Sequence, residues 1–182
     1  MKQEYVKLAI VASLVILIIS FWKQIRRALK ITWDIHTERR IKQLHPSLQE
    51  SARAFINDAE QQGFKLRITS AFRSFAEQQA LYDQGRKTPG EIVTNAKPGT
   101  SFHNYGLAID VVEIKDGKGL WENTNWPKIA AIGKKHGFAW GGDWASFKDK
   151  PHFEKSFGFS TGQLLAKYEN GHRTGEYVTL TA

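Results

Sequence analysis

The amino-acid sequence predicts a mixed α+β domain carried on an N-terminal apolar helix. Three observations predict it. Residues 8–22 (LAIVASLVILIISFW) run for fifteen positions without a charge. Beyond residue 46, apolar residues recur at helical spacing in some stretches and alternate in others, and the alternating stretches are few and short, which fits α+β better than a doubly wound sheet. The chain of 182 residues is 41% hydrophobic and 12% aromatic, enough for the core of one ordinary domain and too apolar for a disordered chain. It contains no cysteine, which excludes a disulfide scaffold, an iron–sulfur or Cys-type zinc site and a thiol nucleophile.

The apolar run falls a little short of the roughly 20 residues that cross a bilayer. Lys7 and Lys23 can snorkel outward from its ends, and Tyr5 and Trp22 suit the interface. The sequence that follows, SFWKQIRR, offers no small-x-small cleavage site, so residues 1–24 are expected to form an uncleaved membrane anchor. Residues 25–45 read as a basic helical stalk that Pro46 closes. Residues 1–45 hold nine Lys and Arg against three Asp and Glu, so most of the net charge of +8 lies beside the anchor. The remaining seventeen against fifteen leave the rest of the chain near neutral. That distribution suits a membrane-proximal collar and argues against a nucleic-acid partner. The flanking charges Lys23, Arg26, Arg27 and Lys30 outnumber Lys2 and Lys7, a bias that taken alone keeps the C-terminal part in the cytoplasm.

A domain over 46–171 follows, with a tail at 172–182. Ser47 to Glu50 reads as a capping box, and Leu48, Ala52, Phe55, Ile56 and Ala59 continue at helical spacing to Gly63. Residues 64–69 (FKLRIT) alternate as a strand. A second capping box, Ser74 to Glu77, opens a helix to about Tyr82. Residues 86–102 are rich in turn formers and make a long loop, often a functional feature. Residues 107–114 (LAIDVVEI) are strand-prone and end at Asp116-Gly117. Asn125-Trp126-Pro127 starts a helix that Gly137 ends, Gly141-Gly142 marks a turn, a short strand covers about 152–155, and a last helix spans 160–170.

Of the six histidines, His36, His45 and His172 read as ordinary surface or core residues, and His136 as a helix-end cap. His103 and His152 differ by their company. His103 closes a loop seven residues before Asp110, a carboxylate set in an apolar strand, where it is expensive unless paired or metal-bound. His152 enters a strand three residues after Asp149. Two imidazoles and a carboxylate are the ligand set of a catalytic zinc site with one open position, although neither spacing is the helical H-E-x-x-H pattern. A His–Asp pair that merely supports the fold is the alternative.

Four segments in order, SAFRS (70–74), SFHNYGLAID (101–110), GFAWGGDW (137–144) and DKPHFE (149–154), together resemble the M15 family of zinc D,D-peptidases and L-alanyl-D-glutamate peptidases. The resemblance covers about residues 46–160. It implies the small hedgehog/D,D-peptidase type of α+β fold, with His103, Asp110 and His152 as Zn²⁺ ligands. It also implies Asp149 as general base and Arg73 as the arginine that binds substrate and steadies developing negative charge. The Gly-Gly-Asp-Trp block and the DKPHFE ending resemble the L-alanyl-D-glutamate endopeptidase branch. A D-alanyl-D-alanine carboxypeptidase of the same family, or a non-catalytic zinc-containing module that binds cell wall, are the alternatives. The loop 86–102 with Trp140 and Trp144 is expected to bind substrate, unless those tryptophans pack the core. Ser101 and Tyr105 are read as either substrate contacts or structural, and Asp143 as either orienting a ligating histidine or capping a turn. The implied partners are a peptidoglycan stem peptide and the membrane, with the chain acting as a monomer. That substrate outweighs the charge bias, so a single-pass protein is expected with its catalytic domain facing the periplasm or cell wall.

Overall fold

The computed structural model describes residues 2–28, 31–122 and 124–181. Lys30 of the basic collar and Ala182 of the tail lie outside the described residues, as does the side chain of Arg27. Helix α1 (Lys2–Ala28) contains a stretch, Glu4–Arg26, long and apolar enough to cross a membrane, and its most apolar window is not buried against the rest of the chain. At 1.5 Å per residue these 23 residues reach about 35 Å, so the helix continues past the fifteen uncharged positions at both ends.

The chain then turns back onto the domain. Helix α2 (Ile35–Ile41) is followed by α3 (Pro46–Gln61), strand β1 (Leu66–Ser70), α4 (Phe75–Asp83), a 3-10 turn (Phe102–Tyr105), β2 (Ala108–Lys115) and β3 (Lys118–Leu120). After these come α5 (Trp126–Lys135), β4 (Ala139–Trp140), β5 (His152–Glu154), α6 (Thr161–Glu169) and a small hairpin, β6 (Arg173–Thr174) with β7 (Tyr177–Val178). The main sheet runs β1-β2-β5-β4, with β3 folded back on the end of β2, and all its pairings are antiparallel. A mixed α+β architecture is what the short, scattered strands predict.

The apolar face of α3 (Leu48, Ala52, Phe55, Ile56, Ala59) and that of α5 (Trp126, Ile129, Ala130, Ile132) bury against Ile68, Ile109, Val111 and Phe153. Because side chains alternate along a strand, burying Ile109, Val111 and Phe153 on this face turns Asp110 and His152 to the other. A second cluster on Tyr105, Leu107, Leu164 and Val178 joins the 3-10 turn, α6 and β7. The expected capping box of Ser74 with Glu77 forms at α4, and a further one, Ser160 with Gln163, opens α6. At α3 the cap lies two residues earlier than expected. His45, not Ser47, is the N-cap; its ring Nδ1 accepts from the Ser47 amide at 3.1 Å, and Pro46 takes the first helical position, where it needs no donor.

The segment 31–45, read from the sequence as a stalk, contributes Ile41 and Leu44 to the core. It also covers the free edge of the sheet. Trp33 Nε1 donates to the Leu66 carbonyl at 2.9 Å, and the Ile68 amide donates to Thr37 Oγ1 at 3.1 Å, so two backbone groups of edge strand β1 are satisfied by side chains. Asp34 organises this cover. Its carboxylate accepts from the Thr37 amide (3.1 Å), Thr37 Oγ1 (2.9 Å), Arg67 Nε (2.8 Å) and Arg67 Nη2 (3.0 Å). The expected tail likewise packs on the body: Val178 is buried and its carbonyl lies 2.9 Å from His45 Nε2.

Burial alone would raise the Asp34 carboxyl, but the hydrogen bonds from Arg67 and Thr37, with the Arg67 charge, outweigh it and hold it below the ordinary value. A carboxyl depressed in the folded state contributes stability above its unfolded pKa of about 3.9, lost as pH falls through the lower folded value. Urea unfolding of the full chain in detergent is therefore expected to show Asp34→Ala less stable by about 2–3 kcal/mol at pH 7. The deficit should shrink below about pH 4; a deficit independent of pH would contradict the charged network.

Candidate active site

The site is assembled by one cross-strand pair and one turn. In the β2–β5 ladder Asp110 stands directly opposite His152, which places both side chains on the same face. His103 arrives from the 3-10 turn just before β2, where Ser101 Oγ caps the His103 amide at 3.3 Å and Gly106 leaves the turn in the left-handed conformation at φ 66°. His103 Nε2 lies 3.3 Å from Asp110 Oδ1, His152 Nδ1 lies 3.1 Å from the same oxygen, and the two ring nitrogens are 3.3 Å apart. Both imidazoles are buried.

The chemistry of this donor set fits a metal ion. Tetrahedral ligands at 2.0–2.1 Å from Zn²⁺ would stand about 3.3 Å from one another, close to the three separations found. The outer nitrogen of each ring is also committed. His103 Nδ1 lies 2.6 Å from the Ala71 carbonyl, which can only accept, so Nδ1 carries the proton and Nε2 presents a lone pair. His152 Nε2 lies 2.9 Å from Glu154 Oε2, which in the same way assigns the lone pair to Nδ1. Both lone pairs point at the shared centre.

The charges agree. Burial would raise the Asp110 carboxyl, yet the charge of His103 and the hydrogen bonds of both imidazoles hold it well below its usual range. Burial would lower the His152 imidazole, but Asp110 and Glu154 together raise it to about 9, so without a cation in the site its Nδ1 holds a proton that a bound metal ion would displace. The protein around the cluster is thus set to attract positive charge.

Arg73 lies beside the other carboxylate oxygen, with Nη2 3.8 Å from Asp110 Oδ2. A bulge near the end of β1, between Ile68 and Ser70, redirects the chain toward it. The guanidinium is fixed by the fully buried Gln78, whose Oε1 accepts from Nη1 at 2.9 Å, and by Ser70 Oγ, which accepts from Nη2 at 3.1 Å. Gln78 Nε2 also donates to the Ala96 carbonyl at 2.8 Å, so the same side chain ties Arg73 to the long loop. Asn104 and Tyr105 hold that loop at Gly99, through the Gly99 amide (3.0 Å) and carbonyl (2.7 Å). Ser101 and Tyr105 therefore have structural work, and the buried Tyr105 points away from solvent.

Asp149 is placed by backbone contacts. Its amide donates to the Gly141 carbonyl at 3.1 Å, and Trp140 Nε1 donates to the Lys150 carbonyl at 2.7 Å. Both glycines are needed here for close approach. A Cβ on Gly141 would come within 2.5 Å of the Asp149 carbonyl oxygen, and one on Gly142 would run into the Trp140 ring. Burial raises the Asp149 carboxyl, the negative charge of Asp110 adds to that, and His152, His103 and Arg73 pull the other way. Trp140 packs against the core, while the Trp144 ring lies beside His152 at 5.1 Å between centroids. Asp143 does not orient a histidine; it pairs with Lys134 at 2.6 Å on the surface. Glu154 does that work, and the sequence reading missed it although it ends the DKPHFE segment.

A family model described as VanY, D-alanyl-D-alanine carboxypeptidase, matches residues 41–154. The chain belongs to this family of peptidases. It is 46% identical over 121 residues to the peptidoglycan L-alanyl-D-glutamate endopeptidase CwlK of Bacillus subtilis, covering 61% of this chain and 72% of that one. It is 29% identical over 126 residues to an L-alanyl-D-glutamate peptidase of Listeria phage A118, covering 66% of this chain but 41% of that one. Among solved structures, the Serratia marcescens L-Ala D-Glu endopeptidase ChiX superposes with a TM-score of 0.54 at 25% identity, over 70% of this chain and 92% of the other. The shared region includes the cluster His103–Asp110–His152 and the turn that carries Asp149, both within the residues the family model matches.

If Glu154 fixes the His152 tautomer, Glu154→Ala should weaken divalent-metal binding by about 10–100-fold. Glu154→Gln, whose amide oxygen can still accept from Nε2, should lose less. Competition with a chromophoric chelator measures both, and an unchanged affinity in the alanine variant would contradict the orienting role.

Proposed function

We propose that this chain is a zinc-dependent peptidoglycan peptidase that cuts the stem peptide at the L-Ala–D-Glu bond. The convergence of His103, Asp110 and His152, with both lone pairs turned inward, is the observation that carries the reading. The identity to a Bacillus subtilis enzyme named for that bond supports the substrate. Zn²⁺ held by these three side chains would supply a Lewis acid for the scissile carbonyl and would acidify water at neutral pH.

The remaining steps belong to the chain's own residues. Asp149, whose carboxyl is raised toward a useful basicity, takes the proton from the attacking water and delivers it to the departing amine. Arg73, held by Gln78 and Ser70, presents a fixed positive charge to the oxyanion as it forms and needs no rearrangement to do so. Asp110, as an anionic ligand, keeps the net charge of the site lower than a third imidazole would. The loop tied to Gln78 and the Trp144 ring border the cluster where an extended peptide would lie. Helix α1 anchors the enzyme in the cell membrane, with the catalytic domain facing the cell wall. Proteolysis of intact spheroplasts checks that orientation, and a domain left untouched would contradict it.

Incubating the full chain in detergent with purified peptidoglycan, with and without a chelator, tests the activity. New amino termini on glutamate, abolished by the chelator, are expected; released D-alanine would instead identify a carboxypeptidase, and no cleavage a binding module. Asp149→Ala should keep its metal and lose turnover by about 10²–10⁴-fold. His152→Ala should lose metal and turnover together. A fully active Asp149→Ala enzyme would refute the assignment of the base.

A further inference from the structure

A cavity separate from the histidine cluster lies at the base of α1. About 1230 Å³ of space opens where the end of α1 meets the outer face of α3, lined by Lys23, Arg26, Trp33, Arg53, Glu60 and Lys65 among others. We propose that this cavity binds the phosphate of an anionic phospholipid headgroup. The inference rests on the reading of α1 as a membrane span.

Arg26 is committed to Glu60, with contacts of 3.3 and 3.1 Å from its two Nη atoms. Among the described residues Arg53 bonds only through Nε to Glu38, at 3.1 Å, which leaves the outer donors of its fork for a further acceptor. Glu50, which also lines the space, has a partner of its own. Among the described residues, Lys23 and Lys65 have no carboxylate within ion-pair distance. Lys65 instead lies over the Trp33 ring, 5.9 Å from its centroid. The cavity thus gathers two uncompensated ammonium groups and a spare guanidinium edge around one volume, a set that suits a phosphodiester.

Position selects a lipid over a free anion. Lys23 follows Trp22 at the end of the fifteen uncharged positions, the depth at which headgroups lie. The Arg26–Glu60 pair is partly buried, 22% and 23% exposed, and ties the end of α1 to α3, so the cavity stays at that depth. Juxtamembrane cations attract anionic lipid, and Lys23 and Lys65 together suffice for about a tenfold preference.

Native mass spectrometry of the full chain, released from nanodiscs containing equal phosphatidylglycerol and phosphatidylcholine, tests this. The wild type should retain one phosphatidylglycerol with roughly tenfold preference. Lys23→Gln/Lys65→Gln should lose most of that preference, and Lys23→Arg/Lys65→Arg should restore it. Neither lysine belongs to the catalytic machinery, so peptidoglycan cleavage by each variant should stay at the wild-type level, which also reports that the domain is folded. Equal retention by the wild type, or an undiminished preference in the glutamine variant, would overturn the proposal. So would displacement of the lipid by excess inorganic phosphate as readily as by a short-chain phosphatidylglycerol. A chain that does not enter the nanodisc would overturn the membrane reading as well, whereas entry without preference would overturn the headgroup site alone.

Discussion

The site depends on the register of two short strands. Asp110 of β2 faces His152 of β5, and a slip of one residue would send Asp110 into the core beside Phe55 and bring Ile109 or Val111 out. The packing of α3 and α5 on Ile109, Val111 and Phe153 opposes that slip, because every one of those side chains would have to leave a buried position. The apolar core on one face of the sheet thereby sets the geometry of the His–Asp cluster on the other.

Around that pair, the protein spends its neighbouring groups on orientation. The Ala71 carbonyl and Glu154 each accept a hydrogen bond from the outer N–H of one imidazole, so both rings can offer a lone pair to the same point. Gln78 and Ser70 do the same for Arg73, and the clamp of Trp140 with Gly141 and Gly142 does it for the turn that bears Asp149. Each supporting contact comes from a different element, so the arrangement exists only in the folded chain.

Much of this was legible in the sequence, for physical reasons. A carboxylate in an apolar strand at Asp110, and histidines at a loop end and a strand start, are costly placements that ask for a partner. The helical spacing of Leu48 to Ala59 and the capping box at Ser74 translate directly into local geometry. Other features had no local signal. The cap at His45 is a ring nitrogen, which competes with the hydroxyl pattern at Ser47. The hairpin of β6 and β7 has strands of two residues, too short for any periodicity, and its hold on His45 is long-range. The cover that residues 31–38 give the edge of β1 depends on Trp33 and Thr37 bonding to backbone more than thirty residues away. Glu154 could have been found: a carboxylate two positions from a histidine in a strand shares its face. Asp143 drew the attention instead because it stands beside the glycine pair.

The central claim is that His103, Asp110 and His152 hold one zinc ion. X-ray absorption at the zinc edge on the full chain, loaded with one equivalent of metal and dialysed, tests it most directly. The account predicts one retained zinc per chain with two imidazole nitrogens and carboxylate oxygen in its shell, lost in His152→Ala. A wild-type protein that releases its zinc on dialysis, or a shell without imidazole, would contradict it.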